Sequence, residues 1–308
     1  MKLRSLLIAA VLLLAAPINT APVEERCGPL HDNHKCSGSR CCSQAGYCVN
    51  LCLPKLSRRA STDLSKGIGP DFCNVPWRCL KDYGYCDSDI QPPGKSTAGD
   101  KRPEMGTVPF GVPITQCTEP GSIALTYDDG PSEYTAELLE ILKEADASAT
   151  FFVSGIMDGR GEIDIENQWV QDIRRMEADG HQVGSHGWSH YNLDTLPSDQ
   201  RRDEMYKNER AIANILGKYP TYMRAPYIRC EKECLKDMRD LGYKVIQWSI
   251  DSRDTEFPDD LPAIKKAVNK GFAQVENTGG ILLIQHDTLG KSAIELTSYV
   301  LDKVKVKG

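Results

Sequence analysis

Short apolar runs alternate with amphipathic stretches along the chain from Gly121 onward. The apolar runs predict strands at Ile123–Tyr127, Ser148–Val153, His181–Ser185, Tyr222–Arg224, Lys244–Ser249 and Gly280–Gln285. Apolar residues at helical spacing predict helices at Glu133–Ala145, Gln168–Asp179, Ser198–Leu216, Glu231–Leu241 and Leu261–Gly271. Strands that alternate with helices indicate a parallel sheet, and this many units predicts an α/β domain with barrel-like closure.

The first residues of the chain are typical of a secretory signal peptide. Two basic residues, Lys2 and Arg4, precede an apolar run that extends to Ala16, and small residues follow. The run is too short to cross a bilayer, and no later stretch is long and apolar enough. We therefore expect a signal peptide at 1–21, no membrane span, and a protein secreted to the extracellular space or cell wall, where disulfides persist.

Charge and cysteine placement divide the rest of the chain. The 308 residues carry a formal net charge of −6, which argues against a nucleic-acid partner, because such a partner needs a basic face. Nine of the 12 cysteines lie between Cys27 and Cys86. Proline, glycine and mixed charges fill the segment 91–112. We expect a disulfide-rich module at 22–90, a linker at 91–112 and a large domain at 113–308.

The cysteine spacing of the small module is specific. Eight residues separate Cys27 from Cys36, four lead to the pair Cys41-Cys42, and five lead on to Cys48. This spacing, with the run Cys-Cys-Ser-Gln-x-Gly-Tyr-Cys, resembles the hevein-like chitin-binding module. A domain too small for a sizeable core needs such disulfides. The candidate disulfide cysteines of the module are Cys27, Cys36, Cys41, Cys42, Cys48, Cys73, Cys79 and Cys86.

The resemblance is interrupted after Cys48. Without Val49–Lys66, six residues would separate Cys48 from Cys73, as the hevein-like pattern requires, and the odd cysteine Cys52 would be absent. We interpret 49–66 as an insertion. It is either a retained intron translated in frame, since valine codons begin with GT and a lysine codon can end in AG, or a genuine flexible insertion.

Hevein-like modules hold N-acetylglucosamine units with a serine and three aromatic residues. The resemblance places Ser43, Ala45, Tyr47 and Phe72 at these positions. Because Ala45 carries no ring, we expect weak chitin binding through Ser43, Tyr47 and Phe72. The alternative is that the two rings only cover the disulfides.

Polar residues follow the predicted strands at their carboxyl ends, where barrels of this type carry active sites. Together they form the inventory of a metal hydrolase, although Asp-Asp-Gly is also a common turn and paired histidines also occur in packed cores. Gly187 stands where the metallopeptidase pattern His-Glu-x-x-His needs a glutamate, which excludes that class. These polar residues are Asp128, Asp129, His186, His190, Arg224, Asp251, Asp254 and His286.

From about Cys117 to the end, the chain resembles the polysaccharide deacetylases of carbohydrate esterase family four, the NodB-homology domain. The resemblance rests on five motifs that contain these residues and occur in the family's order. The resemblance implies a distorted (β/α) barrel, and the hevein-like module beside it points to fungal chitin deacetylases. The five motifs are Thr126-Tyr-Asp-Asp-Gly-Pro131, His186-Gly-Trp-Ser-His190, Arg224-Ala-Pro-Tyr227, Asp251-Ser-Arg-Asp254 and Leu282-Leu-Ile-Gln-His286.

The resemblance also implies a metal centre. Asp129, His186 and His190 would hold a divalent metal, most often zinc, with cobalt as the alternative. The metal and the backbone N–H of Tyr227 would stabilise the tetrahedral oxyanion.

Four further side chains take catalytic roles by the same resemblance. Asp128 would be the general base and His286 the general acid on the departing amine. Arg224 would orient and tune Asp128, and would itself be held by Asp254.

Three positions depart from the family pattern. Gly187 replaces a serine or threonine that supports the metal site, Thr255 replaces a tryptophan of the acetyl pocket, and Ile284 replaces a leucine there. Because the ligands, base and acid are intact, we expect an active enzyme.

The late cysteines add two expectations by resemblance. Cys230 and Cys234 are expected to form a local disulfide. The expected partner of Cys117 lies beyond the last helix and is missing here, and Lys303–Gly308 is typical of the approach to a final strand. We therefore expect a truncated C-terminus with Cys117 unpaired.

These observations favour a secreted, monomeric, metal-dependent chitin deacetylase that produces chitosan and acetate. Two alternatives stay open. One is a deacetylase of another polymer, peptidoglycan or acetylated xylan, and the other is a non-catalytic chitin-binding protein.

Overall fold

The computed structural model describes residues 25–38, 40–50, 79–103, 106–157, 160–275 and 279–307. The expected signal peptide, residues 51–66 of the expected insertion, Phe72 and Cys73 lie outside the described residues. Within the described part of the chain, no helix is long and apolar enough to cross a membrane.

The described residues form two sheets. The small module contains an antiparallel hairpin, and the large domain contains an eight-stranded sheet whose described pairings are all parallel. The hairpin strands are β1 (Arg40–Cys42) and β2 (Cys48–Asn50). The strands of the large sheet are β3 (Pro113–Ile114), β4 (Ile123–Asp128), β5 (Ala149–Val153), β6 (Gln182–Ser185), β7 (Tyr222–Met223), β8 (Lys244–Ile246), β9 (Ile250–Asp251) and β10 (Ile281–His286).

The large sheet is a curled half-barrel with the strand order β3-β8-β7-β6-β5-β4-β10-β9, which confirms the predicted α/β class. Strand β10 pairs with β4 from Ile281 beside Ile123 to His286 beside Asp128. Because both strands run in one direction, their carboxyl ends meet at one edge of the sheet. This register therefore brings His286 and Asp128 together.

Among the described residues, six α-helices accompany the sheet, and all except the fourth contribute buried apolar side chains to the main core. In the first helix, Leu138, Leu139 and Leu142 are completely buried, and full burial of each such side chain contributes roughly 1.5–3 kcal/mol. The helices are α1 (Thr135–Glu144), α2 (Asn167–Ala178), α3 (Ser198–Leu216), α4 (Lys232–Asp240), α5 (Leu261–Val275) and α6 (Thr297–Lys307).

Two secondary-structure predictions in the large domain are wrong. The expected strand Lys244–Ser249 is split, because the chain leaves β8 after Ile246 and resumes in β9. The expected approach to a final strand is instead the end of α6. Val300 and Leu301 of this helix are buried in the main core. Their packing stabilises α6, which extends to Lys307 through the alternating lysines and valines at the end of the sequence.

The segment predicted as a linker packs against the large domain. Thr97 is buried and hydrogen-bonds the buried carboxylate of Glu209 on α3. Arg102 Nη1 lies 2.7 Å from Glu209 Oε1, and the Tyr243 hydroxyl donates to the same oxygen at 2.8 Å. This part of the segment is therefore fixed on α3.

Disulfides stabilise the small module. It contains the pairs Cys27–Cys42, Cys36–Cys48 and Cys79–Cys86, and Cys41 is also disulfide-bonded. The predicted disulfide Cys230–Cys234 is present in the large domain, whereas Cys117 is free. Val49 and Asn50 belong to β2, so the hairpin includes the first two residues of the expected insertion.

Candidate active site and metal centre

The polar residues predicted from the strand ends gather at the carboxyl edge of the large sheet. Asp128 ends β4, His286 ends β10, and His186 directly follows β6. Asp129 and Tyr227 both have left-handed backbones, with φ of 74° and 57°. Such conformations cost of order 1–3 kcal/mol each for non-glycine residues and cluster at functional sites.

Asp129, His186 and His190 converge on one point. Asp129 Oδ1 lies 3.2 Å from His186 Nε2 and 3.1 Å from His190 Nε2. The ligand atoms of all three residues lie within 4.8 Å of one another, and all three side chains are largely buried. One carboxylate and two imidazoles, with further positions open, form a donor set that divalent zinc prefers.

Hydrogen bonds around the two imidazoles show that this cluster fits a cation. His186 Nδ1 lies 2.7 Å from the carbonyl oxygen of Arg224, so Nδ1 donates its proton there and Nε2 faces Asp129 Oδ1. His190 Nε2 faces the same carboxylate oxygen. A buried carboxylate oxygen next to two imidazole nitrogens favours a positive charge at this point, which a divalent cation would provide.

Charge interactions favour the ionised form of Asp129. Burial alone would raise the pKa of the Asp129 carboxyl, but His190 and His186 together outweigh that effect and hold this pKa well below its usual value. His190 is also supported from behind, because its Nδ1 lies 3.0 Å from the Tyr227 hydroxyl. Both histidines thus have an outer hydrogen bond, although Gly187 carries no side chain to provide one.

Asp128 is held by Arg224. The guanidinium is completely buried and donates from Nη1 to Asp128 Oδ1 and to Thr126 Oγ1, both at 2.7 Å. It also donates from Nη2 to the Gln247 carbonyl at 2.6 Å and lies 4.5 Å above the Phe152 ring. Arg224 therefore fixes the orientation of the Asp128 carboxylate beside the cluster.

Asp254 binds His286, so the prediction that it holds Arg224 is wrong. Asp254 Oδ1 lies 2.8 Å from His286 Nδ1, and Oδ2 accepts the His286 backbone N–H at 2.8 Å and the Ser292 hydroxyl. The physical reason is the strand order. Asp254 follows β9, which is the neighbour of β10, whereas Arg224 follows β7 on the other side of β4.

The Asp254 carboxylate controls the charge of His286. Burial alone would lower the pKa of the His286 imidazole, but the charge and hydrogen bond of Asp254 outweigh burial and raise this pKa to about 10. His286 is therefore a protonated donor at neutral pH. A divalent cation at Asp129 would move this pKa downward, since like charges repel.

Sequence reasoning missed three charged groups that support the site. Arg160 donates to backbone carbonyls of the turn after Asp128, and Glu204 on α3 accepts both the backbone N–H and the hydroxyl of Ser189 at 2.8 Å. Asp287 is buried beside that turn, and burial raises its pKa to about 7. Of the three residues, only Asp287 could have been noticed in the sequence, because it directly follows His286.

The residues of the small module that were predicted to bind chitin present little free surface to a sugar. Ser43 is completely buried, and its hydroxyl accepts the Tyr47 N–H at 3.3 Å, so it supports the loop and presents no surface group. Tyr47 is half-buried, and the Arg26 guanidinium lies 3.6 Å from its ring centroid. Ala45 is exposed.

Comparisons with known proteins agree with this geometry. A family profile described as "Polysaccharide deacetylase" matches residues 115–246. A chitin deacetylase of Colletotrichum lindemuthianum is 39% identical over 211 residues, which cover 65% of this chain and 81% of that protein. A chitin deacetylase of Pestalotiopsis sp is 38% identical over 218 residues, 70% of each chain. The solved Colletotrichum lindemuthianum structure superposes with a TM-score of 0.59 over 65% of this chain and 88% of that one.

Proposed function

The chain belongs to the polysaccharide deacetylase family, and we propose that it is a chitin deacetylase that hydrolyses the N-acetyl groups of N-acetylglucosamine units. The observation that carries this proposal is one cluster with three parts. A metal-type triad lies at the same edge of the sheet as a carboxylate held by Arg224 and an imidazole held by Asp254. Amide hydrolysis needs these parts, a polarised carbonyl, a base for water and an acid for the amine.

Asp129, His186 and His190 would hold the divalent cation, with zinc the first candidate and cobalt the second. When bound there, the cation supplies Lewis acidity toward the acetamide and the attacking water.

Asp128 is the proposed general base. It takes a proton from the water whose oxygen forms the new bond to the acetamide carbon. Arg224 holds the carboxylate in one orientation through the 2.7 Å bond to Oδ1. The backbone N–H of Tyr227, next to His190, would donate to the oxyanion that develops on the acetamide oxygen.

His286 is the proposed general acid. The C–N bond breaks as the imidazolium gives its proton to the sugar nitrogen, which leaves acetate and a free amine. Asp254 accepts the Nδ1–H and therefore directs Nε2–H toward the reacting group.

Chitin is the proposed polymer for two reasons. The relatives that match at 38–39% identity are chitin deacetylases, and the small module has the cysteine spacing of hevein-like chitin-binding domains. Chitin is an extracellular polymer, so we also propose that residues 1–21 direct secretion. The protein would act as a monomer, since every proposed catalytic group comes from one chain.

Mass spectrometry of N-acetylglucosamine oligomers tests the proposal. The purified chain with zinc should release acetyl groups, and a sample treated with a chelator should not. Oligomer that binds and stays fully acetylated would favour a non-catalytic chitin-binding protein. Acetyl loss only from peptidoglycan fragments or acetylated xylan would change the polymer and keep the chemistry.

A further inference from the structure

We propose that Arg160 is a positioning residue that holds the metal ligand Asp129 through the backbone of its turn. This inference rests on the proposed metal centre. Arg160 lies outside the five motifs, and its described side-chain hydrogen bonds go to backbone carbonyls.

The guanidinium of Arg160 binds four carbonyl oxygens. Its Nη1 donates to the carbonyls of Asp129 at 2.5 Å and Pro131 at 2.7 Å, and its Nη2 donates to those of Gly130 at 3.0 Å and Ser154 at 2.9 Å. Three of these carbonyls belong to consecutive residues of the metal-ligating turn, and the fourth directly follows β5. The side chain therefore ties the turn to the neighbouring strand.

The turn needs this support because its backbone is not in a regular conformation. Asp129 has φ of 74°, which a non-glycine residue rarely adopts, and three successive carbonyls gather on one side. Buried carbonyls without donors are unfavourable. A guanidinium offers five N–H donors in a rigid plane, whereas a lysine ammonium is a single point and cannot span four carbonyls.

The Asp287 carboxyl also packs closely against the turn. A Cβ atom at Gly130 would lie only 2.1 Å from Asp287 Oδ2, and Thr135 Oγ1 donates to that same oxygen at 2.7 Å. Arg160 itself is anchored, because the Trp169 indole N–H donates to its carbonyl at 3.1 Å. The turn is thus clamped between a cationic and a carboxyl side chain, and this clamp determines where Asp129 Oδ1 meets the two imidazoles.

Zinc affinity is the direct test, measured by titration of the metal-free full chain. Arg160→Met should weaken zinc binding roughly 10- to 100-fold, the range seen when groups that support metal ligands are removed. It should also lower kcat with little change in KM, because substrate contacts remain. Arg160→Lys should behave like Arg160→Met. Millimolar guanidinium, but not methylammonium, should restore zinc affinity to Arg160→Ala.

Arg174→Met is the matched control. Arg174 also donates to a backbone carbonyl, that of Ile215 at 3.3 Å, but it lies on α2, and none of its described hydrogen bonds reaches the site. Zinc affinity should be unchanged in this variant. Circular dichroism identifies any unfolded fraction, so that affinity is expressed per folded molecule.

Two outcomes separate this inference from the proposed function. Equal zinc affinity per folded molecule in wild type and Arg160→Met would overturn the role of Arg160, whatever the activity. Wild-type protein that binds zinc in an Arg160-dependent way but releases no acetyl groups would contradict the proposed function and support the role of Arg160.

Discussion

In the large domain, buried polar groups hold Asp128 and His286 at the ends of paired strands, whereas in the small module disulfides hold the loop that carries Tyr47. The first arrangement depends on a sheet and a core, and each functional side chain has a charged partner. The second depends on short strands and covalent links, because the module is too small for a sizeable core.

Substitutions should therefore have different consequences in the two regions. Where a buried charge is paired with another, removal of one partner leaves an uncompensated charge, and the loss is about 3–5 kcal/mol. In the module, a surface ring can be removed while the disulfides keep the fold. We therefore expect catalysis to fail through single polar changes, and chitin binding to fail through loss of disulfides or rings.

The largest effect should come from Asp128→Asn. The amide keeps an oxygen for Arg224 but cannot take a proton from water, so deacetylation should fall by about 10²- to 10⁴-fold. Zinc affinity and chitin binding should persist, since Asp128 is neither a ligand nor part of the module. The measurement is acetyl release from soluble oligomers.

The matched control for this variant is Asp146→Asn, an exposed position at the opposite edge of the sheet with φ of 52°, which asparagine also accepts. It should retain full activity. Acetyl release unchanged in Asp128→Asn would show that another group is the base.

A second variant, Asp254→Asn, should change the pH dependence of the reaction. Without the carboxylate, burial is opposed only by the weaker attraction of Asp129 and Asp128, and the His286 pKa falls from about 10. The proposed general acid, His286, must be protonated to act, so the alkaline limb of the kcat/KM profile should move to lower pH. Activity at high pH is lost first, and activity near pH 6 is affected least.

Asp251→Asn provides the comparison. Asp251 ends β9, just before the loop that carries Asp254, but it accepts the Arg253 N–H, and its side chain makes no hydrogen bond to His286 among the described contacts. Its alkaline limb should therefore move much less. Equal shifts in both variants would mean that general negative charge, and not the Asp254 hydrogen bond, sets the His286 pKa.

The sequence could predict those site residues that lie at the ends of strands. Apolar runs mark where strands stop, and a parallel sheet collects those stops at one edge, which is why Asp128, His186 and His286 could be named. The pairing of Asp254 depends on strand order, which the pattern does not reveal. Arg160 and Glu204 act on loops 31 and 15 residues away, and such contacts leave no periodic signal.

Mild reduction of the disulfides should reduce chitin binding by the small module much more than catalysis by the large domain. Loss of native disulfides destabilises a small domain by about 2–5 kcal/mol, so binding to insoluble chitin should disappear. The disulfide of the large domain closes a sequence separation of only 4 residues, against 15, 12 and 7 for the described pairs of the module, and therefore restrains the unfolded chain less.

Acetyl release from soluble oligomers, compared with retention on chitin beads, measures both regions in one sample. A variant with serine at both Cys230 and Cys234 shows how much of any lost activity comes from the large domain. If this double variant lost chitin binding together with activity in the absence of reductant, the two regions would not be independent.

The smallest effect is expected at Tyr47. An aromatic contact of this kind contributes about 0.5–1.5 kcal/mol, so Tyr47→Ala should weaken retention on chitin several-fold and Tyr47→Phe should preserve it. Arg26 already lies against the ring, which limits the area left for a sugar. Ala45 is exposed in the same loop, so Ala45→Trp should strengthen retention by adding a second surface for a sugar. Unchanged retention in all three variants, with intact disulfides, would show that these rings only cover the disulfides. Chitin specificity would then belong to the large domain alone.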